Sequence, residues 1–468
     1  MSAPRVIVIG GGISGLSTAH TIRKLDPASE VLLLEERPRV GGNLVTERAE
    51  GFVLDGGPDS WVATKKEATE LARSLGLETE LMGTLEANRR SYIAWGDALH
   101  PLPEGFVLGV PTSIMPIIRT PLFSIGAKLR MAMEPFVARR VSTGEDDDES
   151  IDSFVRRRLG PEVAERLVAP LLGGIYGGDA GALSIRATLP QFVEMEQKHG
   201  SLIHAMKGSY RPLSRGPKPS MFTTVKSGIG TLIDRLAASI GKERLRTGVK
   251  VRRVVSLIDD PRGRFAVETD GATEYADHVV LATPAHAAAD LLASFGSRLG
   301  ELLGAMPYVS TVVAFLSFHR KDIAHPLDAT GYIVPRVLGR PALAATWVTS
   351  KWDARAPEGE VLMRVFLGGV GHEDILTKDD AEVVRIARDE LSRSMGVTAS
   401  PGLTRVFRFV RASPQPLVGH GGRMRQVRAI LEATPGIHLV ASGYDGVGIP
   451  DCVRQGEVVA RAITGKSA

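Results

Sequence analysis

The chain has 468 residues, 43% of them hydrophobic and 24% charged, with a net charge of +4 at pH 7. That length exceeds one compact core, so two or three globular domains are expected. The mild positive balance, with no basic stripe interleaved with aromatics, argues against a nucleic-acid binder. Cys452 is the single cysteine, which rules out a disulfide framework, a zinc site or an iron–sulfur cluster within one chain, and no metal site is predicted. No apolar run is long enough to span a bilayer. The first strand begins almost at once, leaving no room for a signal peptide, so a cytoplasmic protein is expected.

Taken in chain order, Arg5-Val-Ile-Val-Ile9 reads as a parallel strand buried on both faces. It runs into Gly10, Gly11, Gly12, Ile13, Ser14 and Gly15, which fit the Gly-x-Gly-x-x-Gly spacing. There one glycine permits the tight turn, one lets the backbone approach a pyrophosphate, and one packs helix on strand. The following helix, Leu16 to Leu25, would aim its positive N-terminal end at the phosphates. Val31–Leu34 is a second strand, and Glu35, with Glu36 beside it, stands where a ribose would be held. Strand, fingerprint, helix, strand and terminal acid together point to an adenine dinucleotide.

Residues 100 to 200 read as mostly helical, with helices over Ser150–Leu159 and Pro161–Leu172 and a solvated acidic run, Glu145–Glu149, ahead of an N-cap at Ser150. The stretch 201–220, with Lys207, Arg211, Arg215 and Lys218 among Gly, Pro and Ser, reads as a mobile loop. Thr247–Val254 and the runs Arg264–Thr269 and Ala276–Pro284 supply further strands. Strands at short intervals over Thr311–Phe318, Gly331–Val334, Ala342–Val348 and Val361–Leu367 suggest a second, largely antiparallel sheet. Near the end, a buried strand at Gly436–Ser442, the turn Gly443–Gly448 and a helix over Ile449–Ile463 repeat the strand–turn–helix device.

Glu35 followed by Arg39-Val-Gly41-Gly42 resembles the flavin amine-oxidase superfamily, because a second glycine pair lets another loop approach the middle of the cofactor. FAD is therefore the expected cofactor. The segments Gly57-Pro-Asp-Ser60, Leu99-His-Pro-Leu-Pro103, Gly174-Ile-Tyr-Gly-Gly-Asp179, Pro414-Gln415 with Gly419-His420, and Gly446-Val-Gly-Ile-Pro-Asp-Cys452 occur in the order seen in the porphyrinogen oxidases of haem synthesis. The resemblance runs from about Val6 to Ala462 and is strongest to the bacterial branch acting on coproporphyrinogen III. Two departures are Pro416, where relatives often carry an aromatic, and Asn43, where a basic residue is common.

The resemblance implies an α/β plus α+β protein. A discontinuous Rossmann-like FAD domain would comprise 1–75, 220–285 and 405–468, and a mixed or antiparallel-sheet substrate domain 76–100 and 286–404. A helical insert, 101–219, would cover the substrate cavity and is open to peripheral membrane contact. Implied flavin contacts are Gly10 to Gly15, Glu35, Glu36, Gly42, Asn43, Gly57, Pro58, Asp59, Ser60, Val251, Phe409, Gly446, Val447, Gly448 and Ile449. Implied substrate contacts are Gly174 and Ile333, with Lys66 and Arg89 as candidate partners of the propionates.

The implied chemistry asks little of side chains. A porphyrinogen meso carbon–hydrogen bond is activated by its own pyrroles and flavin N5 accepts hydride, so the protein binds, orients and excludes water, and no catalytic side chain is expected. Three two-electron rounds, each ended by dioxygen with release of hydrogen peroxide, would give coproporphyrin III; protoporphyrinogen IX is a second expected substrate. His286 and His420 read as structural and Cys452 as a packed small residue. A strict protoporphyrinogen IX oxidase is one alternative, and a carotenoid desaturase or a non-catalytic porphyrin carrier are others. An amine oxidase is the nearest rival, yet Tyr308–Phe318, where such enzymes keep a lysine, has none. Transfer of product to a ferrochelatase, and a monomer or homodimer, stay open.

Overall fold

Four successive apolar residues, Val6 to Ile9, are buried on both faces of strand β1 (Arg5–Ile9), as a central parallel strand requires. Helix α1 (Ile13–Leu25) follows, then β2 (Glu30–Glu35), which pairs in parallel with β1, placing Val8 beside Leu33. Later segments complete the sheet: β3 (Leu245–Thr247) lies outside β2, and β4 (His278–Leu281) and β5 (Ile437–Leu439) extend it beyond β1. The order β3-β2-β1-β4-β5, all parallel, is a Rossmann-like sheet built from distant parts of the chain. Helix α2 (Ile449–Thr464) packs on α1 at close range. Gly456 allows it: a Cβ there would stand 2.7 Å from the hydroxyls of Ser17 and Thr18. The computed structural model describes all residues except 1–2, 103–104, 108, 113, 142–143, 145, 210–219 and 467–468.

Two compact units result. The first comprises 1–83, 220–307 and 423–468, and the second 84–219 and 308–422. Three boundaries differ from the sequence expectation, for reasons visible in the pairing and packing. Phe222–Val225 pairs with Trp61–Val62 and with Leu81–Gly83, which carries the first unit past residue 75. Helices Ala285–Leu291 and Ser297–Gly304 bury Ala285, Ala288, Leu291, Leu299, Leu302 and Leu303 within that unit rather than in a substrate domain. Arg264–Thr269 does not join the parallel sheet: Phe265–Thr269 sits in a separate antiparallel sheet between Val251–Ser256 and Thr273–Ala276.

The second unit is built on a seven-stranded sheet whose longest strand, Tyr308–His319, pairs antiparallel with Glu360–Gly368 on one side and with the edge strand Thr404–Pro414 on the other. Residues 405–414 therefore belong here and not to the nucleotide unit, because Tyr308–His319 exposes a free edge that only they fill. Helices of the insert share this unit. Ser150 caps Ile151–Leu159 by accepting the Ser153 amide, as predicted. Buried Arg158 pairs with buried Glu134 and holds Val137 O at 3.0 Å. Leu202–Ser209 is helical where a loop is predicted, and Arg211, Arg215 and Lys218 lie outside the described residues.

Candidate functional site

Backbone geometry explains each glycine of the fingerprint in the first unit. Gly10 has φ +108°, and a Cβ there would stand 2.5 Å from Ala282 O at the end of β4. At Gly15 a Cβ would fall 2.0 Å from Gly10 O, so only glycine lets α1 start this close to β1. Gly12 is different. Its φ of −73° suits any residue and nothing lies within 4 Å of its missing Cβ, so the glycine keeps space open instead of relieving a clash. As the N-cap of α1 it offers no side chain, which leaves the first-turn amides of α1 to a ligand.

Glu35 closes this loop from β2. One carboxylate oxygen accepts the Gly11 amide at 2.6 Å and the other the Arg37 amide at 2.9 Å. Glu36 instead faces outward and pairs with Lys250 at 2.7 Å. Val249 donates its amide to Glu35 O at 2.9 Å, which lays the segment leading into Val251 along the same end. The second glycine pair meets the first: Gly41 donates its amide to Gly11 O at 2.7 Å, and a Cβ on Gly42 would lie 3.3 Å from Gly12 Cα. Arg37 and Arg39 both donate to Gly42 O, at 3.3 and 3.0 Å. Burial, reinforced by the neighbouring Arg37, pulls the Arg39 guanidinium down from its usual range. These two cations give the loop a field suited to an anion.

Asn43 follows directly, and Asp55 anchors the next stretch by accepting from Thr46 Oγ1 at 2.5 Å and from the Ile229 amide at 3.0 Å. Gly57 is buried and Pro58 exposed; Asp59 is held through its carbonyl by Thr224 Oγ1 at 2.6 Å, and Ser60 donates to Asp59 Oδ1 at 3.0 Å. At the far end of the chain the turn Gly443–Gly448 is closed by Gly443 N to Gly446 O at 2.8 Å, with Ser442 Oγ on Val447 O at 3.3 Å. Ile449 begins α2, and buried Asp451 accepts the Gly448 amide at 3.2 Å. Cys452 is buried next to it, its thiol pushed up to about 11 by burial, so it is packed and protonated at neutral pH.

These features fit an adenine dinucleotide. The open cradle at Gly12, the uncapped amides of α1 and the Arg37–Arg39 field suit a pyrophosphate. Thr283 Oγ1, buried without a hydrogen-bond partner beside Gly10, is an orphan polar atom at the same loop.

In the second unit Gly174 and Ile333 come together, since a Cβ on Gly174 would stand 3.5 Å from Ile333 Cγ2. Gly174 lies on helix Ala169–Tyr176, whose end is pinned by Gln415 Nε2 and Ser413 Oγ, each 2.8 Å from Tyr176 O. Phe409 also belongs to this unit, opposite Thr311. Arg89 is exposed on the strand-leading segment beside Thr330, whose amide meets Arg90 O at 2.9 Å. Lys66 is exposed in the first unit, at the N-cap of Glu67–Ser74 with no capping bond from its side chain. Among the described residues no cluster of three or more His, Cys, Asp or Glu could hold a metal.

A family model for flavin-containing amine oxidoreductases matches residues 13–464. The chain belongs to that family. FAD is accordingly its cofactor, and the Rossmann-like unit is the part that fits it. Within the family, the chain is 37% identical over 473 residues to the coproporphyrinogen III oxidase of Bacillus subtilis (strain 168), covering 98% of both. It is 34% identical to the Staphylococcus aureus enzyme of the same name over 469 residues, again 98% of both. Identity to the chloroplastic protoporphyrinogen oxidase 1 of Arabidopsis thaliana is 27%, over 98% of this chain and 86% of the other. Among solved structures, a protoporphyrinogen oxidase candidate from Exiguobacterium sp. 255-15 superposes with a TM-score of 0.88 at 31% identity over the whole of both chains. A cyclohexylamine oxidase from Brevibacterium oxydans, at 16% identity and TM-score 0.71 over 99% of both, shares the fold.

Sequence reasoning overlooked three residues of this flavoprotein. Lys65, next to Lys66, donates to both Asp451 oxygens at 2.6 and 2.8 Å. Gln415 belongs to a motif whose spacing gives it no role, and Thr283 reads only as the end of a strand. For Lys65 no local signal existed, since its partner is 386 residues away.

Proposed function

We propose that the chain is an FAD-dependent oxidase that converts coproporphyrinogen III to coproporphyrin III in haem biosynthesis, with protoporphyrinogen IX as a second substrate. The observation that carries this reading is the 37% identity to the Bacillus subtilis coproporphyrinogen III oxidase across 98% of each chain. Bound FAD supplies a hydride acceptor that dioxygen restores, with release of hydrogen peroxide, in three rounds per macrocycle. The residues of the chain bind and orient. Amides of Gly12 to Gly15 hold the pyrophosphate, Glu35 accepts from the ribose, and the segments of Gly42, Asn43, Gly57–Ser60, Val251 and Gly446–Ile449 enclose the rest. Gly174 and Ile333 line the macrocycle's place, where a glycine lets a flat ring approach backbone, and Gln415 keeps that helix end from moving. Lys66 and Arg89 supply exposed positive charge for propionates. No side chain need act as acid or base.

Purified protein mixed in air with coproporphyrinogen III or protoporphyrinogen IX, followed by porphyrin fluorescence and oxygen uptake, tests the proposal. Faster turnover of the four-propionate substrate is expected. Preference for protoporphyrinogen IX would favour the strict later-step oxidase instead, and turnover of neither would return the carrier and amine-oxidase readings.

Peripheral membrane contact is a second part of the reading, supported by one surface. Met115, Ile118, Ile125, Leu129, Met133, Phe136 and Val141 are all exposed, Phe136 at 85%, alongside the cations Arg119 and Arg139. The outward face of the insert thus combines apolar and basic groups, as interfacial helices do. Among the described residues no helix is long and apolar enough to cross a membrane. Sedimentation with anionic and with neutral liposomes should show binding to the first; absence from both pellets would remove this part.

A further inference from the structure

We infer that Lys65 is a positioning residue that sets the charge at the Gly446–Gly448 end of the cofactor site by pairing with Asp451. The inference rests on the placement of that turn at the flavin end, proposed above. Asp451 occupies the first turn of α2, its Cβ and carboxyl filling the space behind Gly446, where a Cβ would come within 2.6–2.8 Å of them. It also accepts the Gly448 amide at 3.2 Å. A carboxylate here suits the helix end but places a full negative charge beside the amides that a ligand would use. Lys65 answers that charge in a two-pronged contact, 2.6 and 2.8 Å to the two oxygens.

Stability does not explain the pair. The Lys65 side chain is 50% exposed and that of Asp451 12%, so the pair is screened on its lysine side and adds little to folding. What the pair does change is local field: with it the turn is neutral and the helix end stays positive, without it the turn is anionic. Reduced flavin carries more electron density than oxidised flavin, so an uncompensated Asp451 opposes reduction. The pair thus tunes how readily bound flavin accepts the substrate's electrons, while touching neither substrate nor reacting atoms.

Three variants of the holoprotein test this. Lys65→Met keeps the stem and removes the charge, Asp451→Asn keeps an acceptor for Gly448, and the double variant restores neutrality. Flavin content, visible absorption and the two-electron midpoint potential are measured by reductive titration against reference dyes. Lys65→Met should shift the oxidised–reduced equilibrium about tenfold toward oxidised flavin, a fall of about 30 mV for a two-electron couple. Asp451→Asn should raise the potential, and the double variant should return close to the parent. An unchanged potential in Lys65→Met with FAD fully bound overturns the inference. So does a double variant as low as Lys65→Met, because Lys65 would then act apart from Asp451. Flavin spectra blind to every change at 65 and 451 would instead refute the placement of the turn, which separates the two failures.

Discussion

Gly12 offers a clean separation of folding from cofactor binding. Adding a methyl group there meets no protein atom within 4 Å, and φ −73° is open to alanine. The fold should lose at most ~1 kcal/mol, the usual difference between glycine and alanine at an N-cap. The same methyl at Gly15 would lie 2.0 Å from Gly10 O, a backbone atom that cannot rotate away, and overpacking of this kind costs about 1–3 kcal/mol or more. If Gly12 keeps room for a pyrophosphate, the clash that is absent from the free protein appears on binding. Charging the ~1–3 kcal/mol of overpacking to the complex weakens FAD by roughly 5- to 150-fold. Urea unfolding of the flavin-free protein and titration with FAD by fluorescence quenching read the two effects. Gly12→Ala should unfold near the parent midpoint and bind FAD weakly, whereas Gly15→Ala should fail in both. Gly12→Ala with parental FAD affinity would refute the reasoning, as would Gly15→Ala of parental stability.

Lys66→Ala combined with Arg89→Ala should raise KM for the four-propionate substrate more than for the two-propionate one; equal losses in steady-state assays would leave neither residue a propionate role. His278 and His438 stand 3.3 Å apart in adjoining strands, and burial, then His278, holds His438 down at about 4. Because the folded value lies below the unfolded one near 6.5, stability is present above that pH and is lost as pH falls toward 4. The loss should be on the order of 2–3 kcal/mol, and His438→Phe should flatten the unfolding midpoint between pH 6.5 and 4; an unaltered slope would dismiss the pair as its source. Gln415→Leu removes one of two donors to Tyr176 O, the other being Ser413, and should cost about 0.5–1.5 kcal/mol in urea unfolding.

What was legible in the sequence is what depends on backbone sterics. The spacing of Gly10, Gly12 and Gly15 encodes a turn, an open cradle and a helix contact that any chain of that local shape must satisfy, and Gly41–Gly42 encodes the approach of a second loop. Strand pairing was less legible. The run 404–414 alternates too weakly to name a partner, and only the unfilled edge of Tyr308–His319 decides which sheet receives it. Helices 285–304 are amphipathic in either unit, so periodicity could not assign them.

Side-chain roles were legible least, and the adjacent lysines show why. Lys65 and Lys66 have the same chemistry and the same neighbours in sequence, yet one meets Asp451 and the other faces solvent. Their fates are divided by the start of helix Glu67–Ser74, which sets the direction of each stem, and by the position of α2. A sequence motif reports which groups are present at a site. Which partner each of two equivalent groups meets is decided by the tertiary fold, and here Lys65 meets Asp451 while Lys66 is left to solvent.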